Sequence, residues 1–314
     1  MNKRDLVLSL TEPDRALPYI PAAFFLHFDP AYQRGQPAID KHLEFFRYTG
    51  MDFVKIQYEH PYPPVPEIQR PRDWARMPRY GKDFFLEPLR VVEGLVKAAK
   101  PEALIIVTLY SPFMCAGHAL TADRRDQHLQ ESPSLVKFGM EAITESVLTF
   151  VRECVRLGAD GFYASTQGRE SHRFEDLAVF DECVRPYDLA VMQEINRTCP
   201  FNILHICDYH DSYADLAPFR DYPGHIVNCN LNLDTGRVSS RQVSDMFQRP
   251  FMGGMDRKGA LAVGTPEQVR AEALAVLNEA PPRFLLAADC TIPAPHDWNN
   301  LRAAIQVAHA YSPK

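Results

Sequence analysis

Long apolar runs are what this sequence lacks most plainly. None approaches the ~20 residues needed to cross a bilayer, and the N-terminal stretch MNKRDLVLSLTEPDR holds no apolar segment long enough for a signal peptide. Membrane and secreted classes are set aside, and a cytoplasmic location is expected. Dense basic runs are missing as well. The 34 Lys and Arg are outnumbered by 40 Asp and Glu, a net charge of −6, which argues against a nucleic-acid partner. Paired cysteines are not evident. The seven cysteines are odd in number and scattered, so reduced thiols, some of them metal ligands, fit better than a disulfide framework. No repeat or low-complexity segment stands out.

What the sequence does contain is an alternation of short apolar runs with longer helical patterns. After an N-terminal helix, the runs read as strands are Ile20–Phe28, Phe53–Ile56, Leu104–Leu109, Gly161–Ser165, Phe201–Ile206, Ile226–Asn228, Pro250–Met252 and Phe284–Ala288. Helices are expected where Ile39, Leu43 and Phe46 share a face with Gly50 as the stop, and at Leu86–Ala99. Others fall from Ser132-Pro133 to Leu157 with an apolar face of Leu135, Phe138, Val147, Phe150, Val151 and Cys154, around Tyr187–Arg197, after Thr265-Pro266-x-Gln268, and at Trp298–Ala310. Pro61–Pro78 reads as a loop and Ser111–Ser132 as a long connection suited to a lid. Eight apolar strands alternating with helices predict a parallel sheet covered by helices. At 314 residues this is best met by one (β/α)8 TIM-barrel domain over residues 1–314. A doubly wound open sheet is second, because no G-x-G-x-x-G follows the first strand.

Two strand ends stand out. NILHICDY places His205 and Cys207 two residues apart, on one face of a strand. AADCTIP brings Cys290 to the end of another strand far along the chain. An imidazole and two thiolates suit zinc, and three protein ligands leave a fourth position for water or substrate. In a parallel barrel the chemistry lies at the C-terminal strand ends. The polar residues falling there are His27, Glu59, Tyr110, Gln167, Asn228 and Asp256, candidates for holding substrate, and Asp208 and Asp289, candidates for orienting His205. Each has an ordinary alternative: a core histidine, a buried inert thiol, a cap or a loop residue. Tyr163 and Trp298 read as packing, and Cys229 is an alternative ligand near the sixth strand end.

These residues sit in a pattern that resembles the uroporphyrinogen decarboxylase superfamily. Within it, the chain looks most like the zinc-dependent, corrinoid-linked branch, such as the methylcobamide:coenzyme M methyltransferases. The likeness runs through the AYQRG stretch, GADGFY, LHICD, GGMD followed by GTPEQV, and DCTIP followed by W-x-NLRAA. It implies a (β/α)8 barrel with zinc on His205, Cys207 and Cys290. It also implies a methyl group passed between a corrinoid (cobalamin) protein and a small-molecule donor or acceptor: a thiol, a folate or a methoxylated compound. The sequence shows no D-x-H-x-x-G cobalamin motif, so the corrinoid is expected on a partner. The decarboxylase branch forms homodimers, which makes a homodimer possible here. That branch also grips its porphyrinogen with an arginine-rich motif after the first strand. Here the stretch is Phe24-Phe25-Leu26-His27-Phe28 with Arg34 the nearest arginine, too few cations for an octacarboxylate. A metal-free tetrapyrrole decarboxylase is therefore the alternative, and a non-catalytic corrinoid- or tetrapyrrole-binding barrel the second.

Overall fold

The computed structural model describes residues 2–312, apart from Asp14, Tyr58, Pro295 and His296. Seven strands form one parallel sheet: β1 Phe53–Ile56, β2 Leu104–Tyr110, β3 Gly161–Thr166, β4 Ile203–Ile206, β5 Ile226–Cys229, β8 Phe251–Met255 and β9 Phe284–Ala288. Their order in space, β1-β2-β3-β4-β5-β8-β9, follows their order in sequence. Two short strands, β6 Asn232–Leu233 and β7 Gly236–Arg237, make a separate antiparallel hairpin. The strands are built from near-continuous apolar runs because helices cover the sheet and leave no polar face. Four-residue β4 and β5 are buried at every position.

The predicted first strand, Ile20–Phe28, is extended but not a regular strand. It bridges to the β9 end of the sheet at two isolated points, Ala22 to Leu286 and Leu26 to Ile292, and meets the β1 end through Asp52. The Ala23 amide donates to the Leu286 carbonyl (3.0 Å), and the Ala22 carbonyl accepts from the Asp52 amide (3.0 Å). Two features interrupt the ladder. Pro21 has no amide proton, and the Ala22 amide goes to the Asp52 carboxylate at 2.8 Å instead of to a neighbouring backbone. With this segment as the eighth stave, the sheet closes into the (β/α)8-type barrel.

The helix signals correspond to real ends. Gly35–Thr49 stops at Gly50 in the left-handed region (φ +79°), where glycine has no Cβ to clash. Pro266–Asn278 opens with the reciprocal Thr265/Gln268 capping box. Pro133–Leu157 runs the expected 25 residues, but its core face differs. Leu135 and Phe138 are exposed (41% and 62%), while Val136, Met140 and Ile143 are buried. The inward face there is set by what the helix packs on, the segment around Trp74 that faces Gly139 and the helices after β2. Those helices, Pro112–Ala119 and Ala122–Glu131, fill most of the predicted lid connection. Pro61–Pro78 is irregular apart from a short 3-10 helix, Pro71–Arg76. No helix among the described residues is long and apolar enough to cross a membrane.

Candidate metal centre

β4 carries His205 one residue before its end, and Cys207, the residue after the strand, has its amide bonded to the Thr166 carbonyl of β3 at 3.0 Å. Cys290 follows β9, held by the bond from the Asp289 amide to the Met255 carbonyl (3.0 Å). The barrel thereby brings together residues 85 positions apart: Cys290 Sγ lies 3.5 Å from His205 Nε2. The ligating atoms of His205, Cys207 and Cys290 all fall within 4.8 Å of one another, and all three residues are buried. Bond lengths of about 2.3 Å to sulfur and 2.0–2.1 Å to nitrogen in a tetrahedron set the S···N edge near 3.6 Å. The Cys290–His205 spacing matches that edge. Soft sulfur donors with one imidazole are also the donor set zinc favours, so the residues present fit that ion.

The electrostatics of the cluster point the same way. The hydrogen bond to Cys290, together with burial, pushes the Cys207 thiol well up. The same bond, with the nearby His205 and Arg257, pulls Cys290 well below the ordinary thiol range. Gln167 Nε2 lies 3.5 Å from Cys207 Sγ, within reach of a weak N–H···S bond. The His205 ring stacks on Tyr163, centroids 4.6 Å apart, and its Nδ1 is buried with no hydrogen-bond partner among the described residues.

The structure separates the other predicted site residues. Asp208 and Asp289 are not acceptors for His205. Both turn to Arg257, whose Nη1 donates to Asp208 Oδ1 at 2.8 Å and also to Asp289, while its amide donates to Asp289 Oδ1 at 2.6 Å. The carboxylates follow the guanidinium because a buried charge needs an opposite one more than an imidazole needs a second acceptor. Burial pushes the Asp289 carboxyl up to about 6 despite Arg257. Burial also works against the charge of Arg257, yet the two carboxylates hold it above its ordinary value.

His27, Tyr110 and Gln167 line a cavity of about 890 Å³ that opens onto His205, Cys207 and Cys290. Glu59 does not line it; its carboxylate pairs with His27 Nδ1 at 2.7 Å and faces a small separate cavity with Arg34. Asn228 and Asp256 do not reach the cavity either. Asn228 is fully buried and ties the barrel together, donating to the Met252 (2.9 Å) and Ala288 (3.1 Å) carbonyls and accepting from the Tyr163 hydroxyl (2.6 Å). Exposed Asp256 caps its own turn by accepting from the Lys258 amide at 2.7 Å.

Several lining residues were not among the predicted ones. Lys55 is wholly buried in β1, its ammonium 4.5 Å from the Phe25 and Tyr163 ring centroids and bonded to Gln57 Oε1. Burial pushes it down to about 7, against the pull of Cys290, Glu59 and Cys207. A lysine in the middle of the apolar strand FVKI was the available signal. Tyr163, read as packing, both packs and lines the cavity. Arg125 and Arg257 gave no comparable signal, since they lie in polar helix or loop sequence, whereas His118 is a polar residue in the otherwise apolar helix PFMCAGHA.

Barrel and cluster together define a parallel α/β barrel with a buried His/Cys/Cys constellation at the C-terminal ends of its strands. The uroporphyrinogen decarboxylase (URO-D) family profile matches residues 48–311, and the chain belongs to that family. Among solved structures, a methyltransferase from Methanosarcina mazei superposes with a TM-score of 0.75 at 14% identity, covering 98% of each chain. A B12-independent methionine synthase from Shewanella gives 0.50 at 14% identity, over 87% of this chain and 85% of that one. A Bacillus subtilis mannanase gives 0.54 at 12% identity, over 94% and 88%. Neighbours with such different reactions at these identities establish the fold and leave the reaction to the site. No curated protein sequence matches the chain.

Proposed function

We propose that the protein is a zinc-dependent methyltransferase that moves a methyl group between a corrinoid protein and a small thiol, folate or methoxylated molecule. The observation that carries this reading is the convergence of the ligating atoms of His205, Cys207 and Cys290 within 4.8 Å at the wall of a substrate-sized cavity. Zinc held there would supply a Lewis acid that keeps a bound thiol deprotonated at neutral pH or polarises the oxygen of a methyl ether. Cys207 and Cys290 as thiolates, with His205 neutral, would cancel the ion's double charge, so a sulfur in the open position would keep its nucleophilicity. Gln167 beside Cys207 and the Tyr163 ring beneath His205 would fix the ligands' orientation. Arg257, tied to Asp208 and Asp289, clamps the two ligand-bearing loops together. The cobalamin would arrive on a partner protein at the barrel mouth.

The family's description favours a second reading, decarboxylation of a tetrapyrrole acid without metal. Against it, Arg34 lies outside the main cavity and Arg257 is already committed to two carboxylates. Lys55, Arg125 and Lys258 also line the cavity, but three cations are too few to pair with eight carboxylates. Metal analysis and turnover separate the two. The methyltransferase binds about one zinc per chain, loses it on Cys290→Ser, and demethylates methylcobalamin when a thiol acceptor is present. Uroporphyrinogen turnover that survives chelation and Cys207→Ala would overturn the proposal.

A further inference from the structure

Lys55 is a charged residue within β1, and its neighbours along and across the ladder, Val54, Ile56 and Ile106, are apolar and buried. Residues two apart share a strand face, so Phe53 lies deeper in the barrel on the same face and Gln57 nearer the mouth. The Phe25 ring packs against Phe53 and Tyr163, with centroids 5.7 and 5.4 Å apart. The Lys55 ammonium stands at the edge of this aromatic floor, 4.5 Å from the Phe25 centroid and 4.5 Å from that of Tyr163. Only 4% of the residue is exposed, and it lines the cavity. Among the described residues its one hydrogen bond goes to Gln57 Oε1. That amide is itself fixed: its oxygen also accepts from the Thr108 hydroxyl at 3.3 Å, and its nitrogen donates to the Leu26 carbonyl.

An ammonium carries three donors, and these surroundings meet one of them, with a neutral acceptor. No Asp or Glu among the described residues lines the cavity, and Glu59 is paired with His27. The two ring faces return less than desolvating the ammonium takes. An uncharged side chain of similar length would fill the same space without that cost. The cost falls when the nitrogen gives up a proton, which leaves a lone pair at the cavity wall. Burial holds the group at about 7, although Cys290, Glu59 and Cys207 pull it upward. A lysine desolvated in this way is an amine nucleophile at neutral pH.

We propose that Lys55 is an imine-forming lysine, whose amine condenses with a small aldehyde or ketone in the cavity and holds it as an iminium ion beside the Phe25 and Tyr163 rings. The neutral Nζ adds to the carbonyl carbon, the C=O π pair goes to oxygen, and a proton passes from nitrogen to that oxygen. The resulting carbinolamine takes up one proton from solvent and loses water as the nitrogen lone pair forms the C=N bond. Thr108, whose hydroxyl shares the Gln57 acceptor, is placed to relay that proton. No oxidant or reductant is consumed. The iminium has a single N–H, which Gln57 Oε1 accepts, and its charge faces two rings, so the cage that leaves an ammonium short of partners completes the adduct. The cation draws electrons from the adjacent carbon, which makes a proton or carboxylate there a leaving group. This activity goes beyond methyl transfer and does not rest on it, since none of these groups is a metal ligand.

The test gives acetaldehyde or benzaldehyde, each with sodium cyanoborohydride at pH 7, to the zinc-loaded and to the chelator-treated protein. Peptide mass spectrometry then locates the reduced adducts. A surface lysine titrating near 10.4 is neutral in only about one molecule in 10³ at this pH. Lys55 should therefore be alkylated at least about tenfold faster than exposed Lys97 by one or both aldehydes. At pH 9.5 the ratio should narrow, because the surface lysines become neutral while Lys55 gains little. Lys55→Met should remove the fast adduct and leave the slow labelling elsewhere unchanged. If that variant does not fold, the wild-type peptide map and its pH dependence still decide. Labelling of Lys55 no faster than of Lys97 with both aldehydes, or a ratio that does not fall by pH 9.5, would overturn the inference. Failure of zinc to load counts against the methyl-transfer reading alone, since the metal-free protein still reports on Lys55.

Discussion

Asp188 gives the most direct access to the energetics of this barrel. It lies on the helix Arg185–Thr198, wholly buried. Its Oδ2 accepts from the Thr166 hydroxyl at 2.5 Å, and Oδ1 has no partner among the described residues. Burial pushes its carboxyl up to about 7, and the Thr166 and Ser111 hydroxyls hold it back only in part. An unfolded aspartate titrates near 3.9. Because the folded value is raised, the stability Asp188 contributes is fully present below about pH 4 and is lost as pH rises to about 7. A gap of about three pH units at 1.36 kcal/mol per unit amounts to roughly 4 kcal/mol. Asp188→Asn keeps an acceptor for Thr166 and cannot ionise. The variant should match wild type near pH 4 and exceed it by several kcal/mol, of order 4, at pH 8. Between those limits the difference should grow by about 1.4 kcal/mol per pH unit. Urea denaturation at pH 4.5, 6 and 8 reads it, on chelator-treated protein so that metal binding adds no pH dependence of its own. A difference that does not change with pH, or a variant less stable throughout, refutes the account of a neutral buried carboxyl. The position also matters to the site, since the Thr166 carbonyl holds the Cys207 amide.

Three further substitutions, at two positions, probe the supports of the candidate metal centre. Arg257→Met leaves buried Asp289 without its cation and Asp208 with only the Asn230 amide, and should cost about 3–5 kcal/mol in denaturant unfolding; a loss under about 1 kcal/mol would mean that the guanidinium does not hold the two carboxylates. Tyr163→Phe removes the hydroxyl on Asn228 but keeps the ring on His205, so stability should fall by about 1–2 kcal/mol while zinc content holds. Tyr163→Ala, which removes the ring as well, should lower zinc retention, and equal retention in both variants would show that the stacking does not position the ligand.

The parts of this structure legible in the sequence are those governed by local chemistry. Apolar runs of four to seven residues gave the buried parallel strands, and caps such as Gly50 and Thr265/Gln268 gave helix ends, because each signal is satisfied within a few residues. His205 and Cys207 were legible for the same reason, since a spacing of two fixes a shared strand face. Long-range competition was not. Ile20–Phe28 has a strand's composition, but the Asp52 side chain, 30 residues on, takes an amide the ladder would have used. Asp208 and Asp289 stood beside the ligands in sequence and turned to Arg257, which reaches them only because the loops after β4, β8 and β9 meet. Asn228 shares its strand-end position with true lining residues, and its inward amide became a strut. Arg125 was hidden because its helix, ADRRDQHLQE, is polar on nearly every side, so nothing local marks the one guanidinium that turns inward.

The cluster is tied to closure of the barrel. His205 lies in β4 and Cys207 just after it, and Cys290 follows β9; β5 and β8 stand between them. No ladder hydrogen bond joins β4 to β9, so the distance between the two halves of the ligand set depends on how the sheet curves across those strands. β9 is in turn the strand that the Ala22–Leu26 segment grips, at Leu286 and at Ile292, two residues beyond Cys290. The closing stave therefore holds the segment that carries Cys290, and the Arg257 clamp on Asp208 and Asp289 spans the same gap next to Cys207 and Cys290. An ion joining the three residues would link strands that the sheet leaves unpaired, which makes metal binding and barrel closure mutually reinforcing. It also explains why a buried Arg–Asp–Asp cluster, costly to desolvate, is kept beside the site: it holds the two thiols at ligand spacing before any ion is present.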